Sequence, residues 1–151
     1  MADIYHSFPI TASAPKVFEG MTTPQGLDAW WTLRAAGHPA EGAEYALYFG
    51  EKYDWRAVVT RSVPGREFEL RMTRSGPDWA GTRVGFQLID KNGFVQVRFH
   101  HLGWPEANEH FRTSSYCWAM YLRLLRRYVE SGELVPYERR LDACSGTARR
   151  S

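Results

Sequence analysis

Hydrophobic and polar residues alternate along most of the chain, and this period of two predicts β-strands. The first run is "ADIYHSFPITAS", in which Ile4, His6, Phe8 and Ile10 share one side. Five further runs follow at regular spacing, and they cover residues 43–50, 54–62, 66–74, 82–90 and 93–102. The pattern therefore predicts a sheet of six strands.

The connections between the later strands predict an antiparallel meander. Pro64-Gly65 separates two of the runs, and Asn92-Gly93 between the last two is a strong signal for a tight hairpin. A longer loop opens at Gly76-Pro77 and carries Trp79.

The same alternation predicts one apolar and one polar face. In the last strand His101 falls on the apolar face with Phe99, whereas Arg98 and His100 point away, as Arg83 does in the strand before it. This pattern is typical of an antiparallel sheet that is covered on one side only.

After the first strand the period changes to that of helices. Ser13 can cap a short helix with Pro15 just inside it, and Thr23 can cap a second one that begins at Pro24. Two such short helices leave no room for a parallel crossover, so they form an insertion. Residues 34–42, "RAAGHPAEG", are expected to be a loop.

A long helix over about residues 106–130 is predicted to cover the apolar face. Pro105 and Glu106 suit its first turn and Gly132 its end. About 25 residues give a helix of roughly 37 Å. Its apolar stripe consists of Phe111, Ser114, Ser115, Trp118, Tyr121, Leu122, Leu125, Tyr128 and Val129. The predicted fold is α+β: a curved antiparallel six-stranded sheet wrapped around a long C-terminal helix, with two short helices after the first strand.

Composition supports one domain with a substantial core. The chain has 151 residues, of which 44% are hydrophobic and 15% aromatic. So many aromatic residues in a small domain must either line a cavity or form an exposed patch that binds something.

Charge argues against nucleic acid as a partner, because the formal net charge is only +2. Much of the excess lies late in the chain, which we interpret as a solvated helix face and a basic tail: Arg123, Arg126, Arg127, Arg139, Arg140, Arg149 and Arg150. We expect the domain to cover residues 1–138. Residues 139–151 would be a polar tail, either mobile or packed on a partner subunit.

Cys117 and Cys144 lack the spacing of a metal site, so no metal or other cofactor is expected, and both are interpreted as reduced thiols. The opening "MADIYHSFPI" has no apolar segment of the kind found in signal peptides. No run approaches the roughly 20 apolar residues that span a bilayer. We therefore expect a cytoplasmic protein without membrane contact.

Three stretches resemble one family. "ITASAPKVFEGMTTPQGLDAWW" (10–31) is similar to its strand and short-helix element, and "GAEYALYFG" (42–50) to its next strand. "FHHLGW" (99–104) and "SSYCWAMYLRLLRRYVESGELVPYE" (114–138) are similar to the strand and long helix that close its domain. The chain thus resembles the START/Bet v1-like helix-grip superfamily, also called SRPBCC. Within it, the resemblance is to small bacterial proteins related to the C-terminal domain of the activator of Hsp90 ATPase.

The resemblance implies a cavity between the sheet and the long helix. By position its lining would be Trp30, Trp31, Phe49, Trp55, Phe68, Phe86, Phe99, His101, Phe111, Ser115, Trp118 and Tyr121. Trp118 and Leu125 could equally fill the core, and Phe111 and Ser115 are open between core and pocket wall. The Hsp90 activators carry a separate N-terminal domain that contacts the chaperone. Nothing precedes the first strand here, so chaperone contact is not expected.

Three functions remain open. The leading hypothesis is a non-enzymatic binder of a small hydrophobic or amphipathic ligand, with His101 lining the cavity and bonded to a neighbour such as Ser114 or Tyr116. The second is an enzyme of the polyketide cyclase or hydratase kind, which would use His101 with Tyr116 or Tyr121 as acid–base groups. The third is a protein-interaction module with an exposed aromatic edge at Trp79 or Trp104. A homodimer is also open, because antiparallel sheets have edge strands.

Overall fold

A computed structural model describes residues 1–141 of the protein, and within them it has seven strands and three α-helices. The strands are β1 (Ala2–Ile10), β2 (Arg34–Ala36), β3 (Glu44–Tyr48), β4 (Asp54–Val63), β5 (Glu67–Arg74), β6 (Arg83–Asp90) and β7 (Val95–Trp104). The helices are α1 (Ala14–Thr22), α2 (Pro24–Trp30) and α3 (Glu109–Ser131), followed by a short 3₁₀ helix, η1 (Tyr137–Arg139).

All strands belong to one antiparallel sheet in the order β1-β7-β6-β5-β4-β3-β2. The predicted α+β fold is confirmed, with one strand more than expected. The extra strand is β2, which lies inside the predicted loop 34–42 and pairs with β3. Three residues are too few to show an alternation, so β2 depends on hydrogen bonds to the open edge of β3 rather than on its own pattern.

The predicted hairpin at Asn92-Gly93 is confirmed. Asn92 has φ 57° and Gly93 has φ 123°, and the Lys91 N–H donates to the Phe94 carbonyl at 2.9 Å. Positive φ at both central residues matches the right-handed twist of the two flanking strands.

Both predicted caps of the short helices are confirmed. The Ser13 hydroxyl oxygen accepts from the Lys16 N–H, and the Thr23 hydroxyl oxygen accepts from the Gly26 N–H at 3.0 Å. At Gly26 the two helices touch backbone to backbone, since a Cβ there would lie 2.5 Å from the Gly20 carbonyl oxygen. A glycine is therefore what allows α2 to fold back against α1.

The long helix starts later than predicted. It begins at Glu109, with the Asn108 side chain accepting from the Phe111 N–H at 2.9 Å, so Pro105 and Glu106 belong to the preceding connection. Asparagine satisfies an N–H of the first turn more directly than a carboxylate placed before it. The predicted end is confirmed, because Gly132 adopts φ 77°.

Ordered packing continues beyond residue 138. Arg140, which the sequence suggested was part of a basic tail, is only 5% exposed. Its guanidinium donates to the carbonyls of Asp28, Thr32 and Val135, and burial lowers its pKa. Residues 142–151 of the predicted tail, including Cys144, Arg149 and Arg150, lie outside the described residues.

Candidate functional site

The interior between the sheet and α3 is nearly full. The void there measures about 20 Å³, roughly the space of one water molecule. Rings from both sides close it, among them six of the predicted ligand residues: Trp30, Trp31, Phe68, Phe86, Phe99 and Trp118. Phe99 and Trp118 touch directly, with ring centroids 4.6 Å apart. These residues form core in this structure.

A much larger space opens beside this core, and we call it the aromatic cleft. Its volume is about 580 Å³, within the range of small-molecule sites. Its lining residues come from β4, α3, η1 and the segments next to the helices and strands: Trp31, Phe49, Tyr53, Trp55, Gly76, Pro77, Trp79, His110, Tyr121, Tyr137 and Leu141.

Contacts between rings fix the walls of the aromatic cleft. Trp55 lies 5.4 Å from Phe49 and 5.0 Å from Trp79, measured between ring centroids. Trp31 lies 5.5 Å from Phe49 and 5.1 Å from Trp118, so the wall continues into the core. A wall that is already packed loses little side-chain entropy when a ligand binds.

The aromatic cleft contains four of the predicted ligand residues: Trp31, Phe49, Trp55 and Tyr121. Phe111 and Ser115 line neither space. Phe111 packs on Trp104 at 5.4 Å, and the Ser115 carbonyl accepts from His6 Nε2 at 3.2 Å. A ligand role for the four remains a prediction.

His101 is buried and fully hydrogen-bonded. An indole N–H can only donate, so Trp118 Nε1–H donates to His101 Nδ1, at 3.1 Å. His101 Nε2 then carries the proton and donates to the Thr82 hydroxyl at 2.9 Å, and that hydroxyl donates to the Trp79 carbonyl at 2.6 Å. The predicted partners of His101, Ser114 and Tyr116, were wrong, because Trp118 and Thr82 occupy both ring nitrogens.

This environment leaves His101 no free nitrogen for a substrate. Burial lowers its pKa from 6.5 to about 3, so the ring stays neutral at ordinary pH. Tyr116, its predicted acid–base partner, is 57% exposed on the solvent side of α3. The geometry does not support the acid–base roles considered for His101 and Tyr116.

His100 is not the freely exposed residue that the alternation suggested. Its side chain is 18% exposed, and Nε2 lies 2.9 Å from a carboxylate oxygen of Glu69. This hydrogen bond holds the pKa of Glu69 below its usual range. The Thr60 hydroxyl also donates to Glu69, so the pair belongs to the outer face of the sheet.

The exposed aromatic edge expected at Trp79 and Trp104 does not exist. Trp79 is 8% exposed and Trp104 is completely buried, and both rings pack on His101, with centroids 4.4 and 5.0 Å from it. Among the described residues, neither indole N–H has a hydrogen-bond acceptor.

Sequence reasoning missed a histidine–carboxylate pair at the aromatic cleft. His110 lines the cleft, and its Nδ1 lies 2.8 Å from Oδ2 of Asp78. The two residues are 32 positions apart, in a loop and in the first turn of α3. No local spacing links them, and the only signal was a loop that opens with Gly76-Pro77 and carries a large aromatic residue.

Two classes of feature are absent from the described part of the chain. No group of three or more His, Cys, Asp or Glu side chains within residues 1–141 is placed to hold a metal ion. None of the helices in that range has the length and apolar character needed to cross a membrane.

Comparison with known proteins gives a family and a fold. The family model described as activator of Hsp90 ATPase homolog 1-like protein matches residues 11–130. The solution structure of the Aha1 dimer from Colwellia psychrerythraea has a TM-score of 0.80 and 29% identity, and the match covers 88% of this chain and 99% of that one. No curated protein matches the chain significantly.

Two more distant structures share the fold. Protein SSP2350 from Staphylococcus saprophyticus has 16% identity and a TM-score of 0.74, over 89% of this chain and 96% of its own. CalU16 from Micromonospora echinospora has 18% identity and a TM-score of 0.68, over 95% of this chain and 86% of its own.

Proposed function

The chain belongs to the activator of Hsp90 ATPase homolog 1-like family, and we propose that it binds a small hydrophobic or amphipathic molecule in its aromatic cleft. The observation that carries this proposal is the contrast between two spaces. The interior void of about 20 Å³ has no room for an organic ligand, whereas the aromatic cleft of about 580 Å³ does.

The chemistry of the cleft walls supports a planar ligand with some polar character. The rings of Phe49, Trp55 and Trp79 supply apolar surface for edge-to-face or offset stacking. Tyr53, Tyr137 and His110 add polar groups. The Tyr137 hydroxyl donates to the Phe49 carbonyl at 3.3 Å, which ties η1 to the segment that carries Phe49.

Isothermal titration calorimetry with 2-naphthol, a planar amphipathic probe, tests the proposal. Tyr53→Ala removes a cleft ring that is 53% exposed, so the fold should survive. We expect the Kd for 2-naphthol to rise about tenfold, which corresponds to about 1.4 kcal/mol and is within the worth of one aromatic contact.

Tyr116→Ala is the matched control, because Tyr116 is 57% exposed but lies outside the cleft. Its Kd should equal that of the wild type. Equal affinity in all three proteins, or no binding by the wild type, would reject the aromatic cleft as the binding site.

A homodimer is a second proposal, supported by the dimeric solution structure of the Colwellia psychrerythraea protein. β1 forms one edge of the sheet over nine residues, and its pairing within the described chain is to β7 alone. Light scattering after size exclusion should give twice the mass of one chain. A mass of one chain at high protein concentration would exclude it.

A further inference from the structure

Five histidines are present in the chain, and one combines a carboxylate partner with a place at the aromatic cleft. His110 lines the cleft, and Nδ1 lies 2.8 Å from Asp78 Oδ2. The side chains are 51% and 31% exposed, so the pair lies where ligand and solvent can both reach it. Trp104 packs against the His110 ring, with the ring centroids 5.4 Å apart and the ring planes nearly perpendicular.

The carboxylate fixes which nitrogen of His110 is available. A carboxylate can only accept, so in the neutral ring Nδ1 carries the proton and donates to Asp78. The remaining nitrogen, Nε2, has a free lone pair, and no hydrogen bond from residues 1–141 occupies it. In this arrangement a carboxylate orients a histidine that can act as a general base.

The other histidines lack this combination. His101 is buried with both nitrogens engaged, and His100 pairs with Glu69 away from the cleft. His6 donates to the Ser115 carbonyl, and His38 is exposed on a loop and lines none of the described pockets.

From this geometry we infer that the aromatic cleft is a proton-transfer site, in which His110 is the catalytic base and Asp78 its positioning residue. The inference rests on the proposed function and deepens it by assigning chemistry to the same site. The substrate class is a planar, conjugated molecule with an acidic C–H bond, because the base lines the same cleft as the flat rings of Phe49, Trp55 and Trp79.

The transfer is balanced without any cofactor. His110 Nε2 takes the proton from carbon, and the electron pair of the broken C–H bond moves into the conjugated system of the substrate. The resulting imidazolium is stabilised by the Asp78 carboxylate. The proton then returns to another atom of the substrate or to water, which restores the neutral ring.

5-Nitrobenzisoxazole is a suitable probe, since a single base converts it. The base removes the proton from C3, that electron pair forms the C≡N bond, and the N–O bond breaks to release a coloured phenolate. We expect the wild-type protein to turn it over faster than imidazole at the same concentration, and His110→Gln to lose at least tenfold in kcat/KM. His38→Gln is the matched control and should keep the wild-type rate.

Asp78 is tested by separating kcat from KM. Asp78→Asn should lower kcat several-fold with KM nearly unchanged, because the amide no longer stabilises the imidazolium while the cleft keeps its shape. Asp78→Glu should recover part of the rate, because it restores the carboxylate. A purely structural role would leave kcat unchanged or alter KM and kcat together.

The outcomes separate this inference from the proposed function. If the wild type binds 2-naphthol but converts 5-nitrobenzisoxazole no faster than His110→Gln, the proton-transfer site is overturned and the binding site stands. If the Kd for 2-naphthol does not respond to Tyr53→Ala, the binding site itself is rejected, and the catalytic inference fails with it.

Discussion

His101 couples the core to pH through the cost of charging a buried ring. Its pKa is about 3 in the folded protein and 6.5 as a free side chain, so the unfolded chain binds more protons between these values. The stabilisation is complete above pH 6.5 and is lost progressively as the pH falls toward 3. Trp118 Nε1–H also needs the neutral ring, because His101 Nδ1 is its acceptor.

We therefore expect the stability of the wild type to depend on pH more strongly than that of His101→Gln. Between pH 7.5 and pH 5, the wild type should lose about 2 kcal/mol more of its free energy of unfolding than His101→Gln. Glutamine can accept from Trp118 and donate to Thr82 without titrating. Urea unfolding at the two pH values measures this, and parallel losses in both proteins would show that His101 is not the group that titrates.

At single positions the sequence predicted which face of the sheet a side chain lies on, but not its hydrogen-bond partners. Alternation correctly placed His101 inside and Arg83 and Arg98 outside, because a strand allows only two directions. It could not indicate that Thr82 and Trp118 would occupy the two nitrogens of His101, since these contacts depend on how α3 crosses the sheet.

Among the elements, the pair of short helices depends on contact between their backbones. Gly26→Ala would place a methyl group 2.5 Å from the Gly20 carbonyl oxygen and 2.8 Å from that of Glu19. Backbone cannot rotate away as a side chain can, so α2 must shift. We expect a loss of roughly 1–3 kcal/mol in the free energy of unfolding.

Gln25→Ala is the control for this substitution, because Gln25 is exposed in the same helix and is also replaced by alanine. Its stability should stay within about 0.5 kcal/mol of the wild type. Thermal or urea unfolding of both variants is sufficient, and equal stability would mean that the contact at Gly26 is not tight.

Arg140 attaches the segment after α3 to the end of α2. Its guanidinium donates to the Asp28 and Thr32 carbonyls at the end of α2, where helix carbonyls lack intrahelical partners. Arg140→Ala would leave these carbonyls without a donor. We expect a loss of about 2 kcal/mol in stability, together with weaker 2-naphthol binding, since Tyr137 and Leu141 line the cleft.

Arg139→Ala is the matched control, because Arg139 is adjacent and exposed. Amide hydrogen exchange of residues 135–141 should accelerate in Arg140→Ala and remain at the wild-type rate in Arg139→Ala. Unchanged exchange in both variants would show that the segment is held in place by something other than Arg140.

The type and order of most elements could be predicted from the sequence, but the strand β2 and the start of α3 could not. The strands with at least five alternating residues were found, whereas β2 has three residues and takes its conformation from pairing with β3. The start of α3 was misplaced because Glu106 resembles a first-turn residue. The side chain of Asn108 supplies the actual cap.

At the scale of the whole molecule, the family resemblance predicted the fold but not where the chain has free space. Six of the rings expected to line an internal cavity surround a void of only about 20 Å³, and Phe99 and Trp118 touch between sheet and helix. The space lies beside them, where η1 and the loop at Pro77 complete a wall. Neither η1 nor this loop has a periodic pattern of hydrophobic residues, so the sequence could not indicate that they would line a cleft.

Binding in the aromatic cleft is the central claim, and the six tryptophans test it directly, because each gives one indole N–H signal in a ¹H–¹⁵N spectrum. On titration with 2-naphthol, the signals of Trp55, Trp79 and Trp31 should shift together with one Kd. Trp104 lines neither space and should stay unmoved. Trp31 lines both spaces, so shifts confined to Trp30, Trp31 and Trp118 would place the ligand in the interior. No shift at Trp55 and Trp79 would contradict the claim.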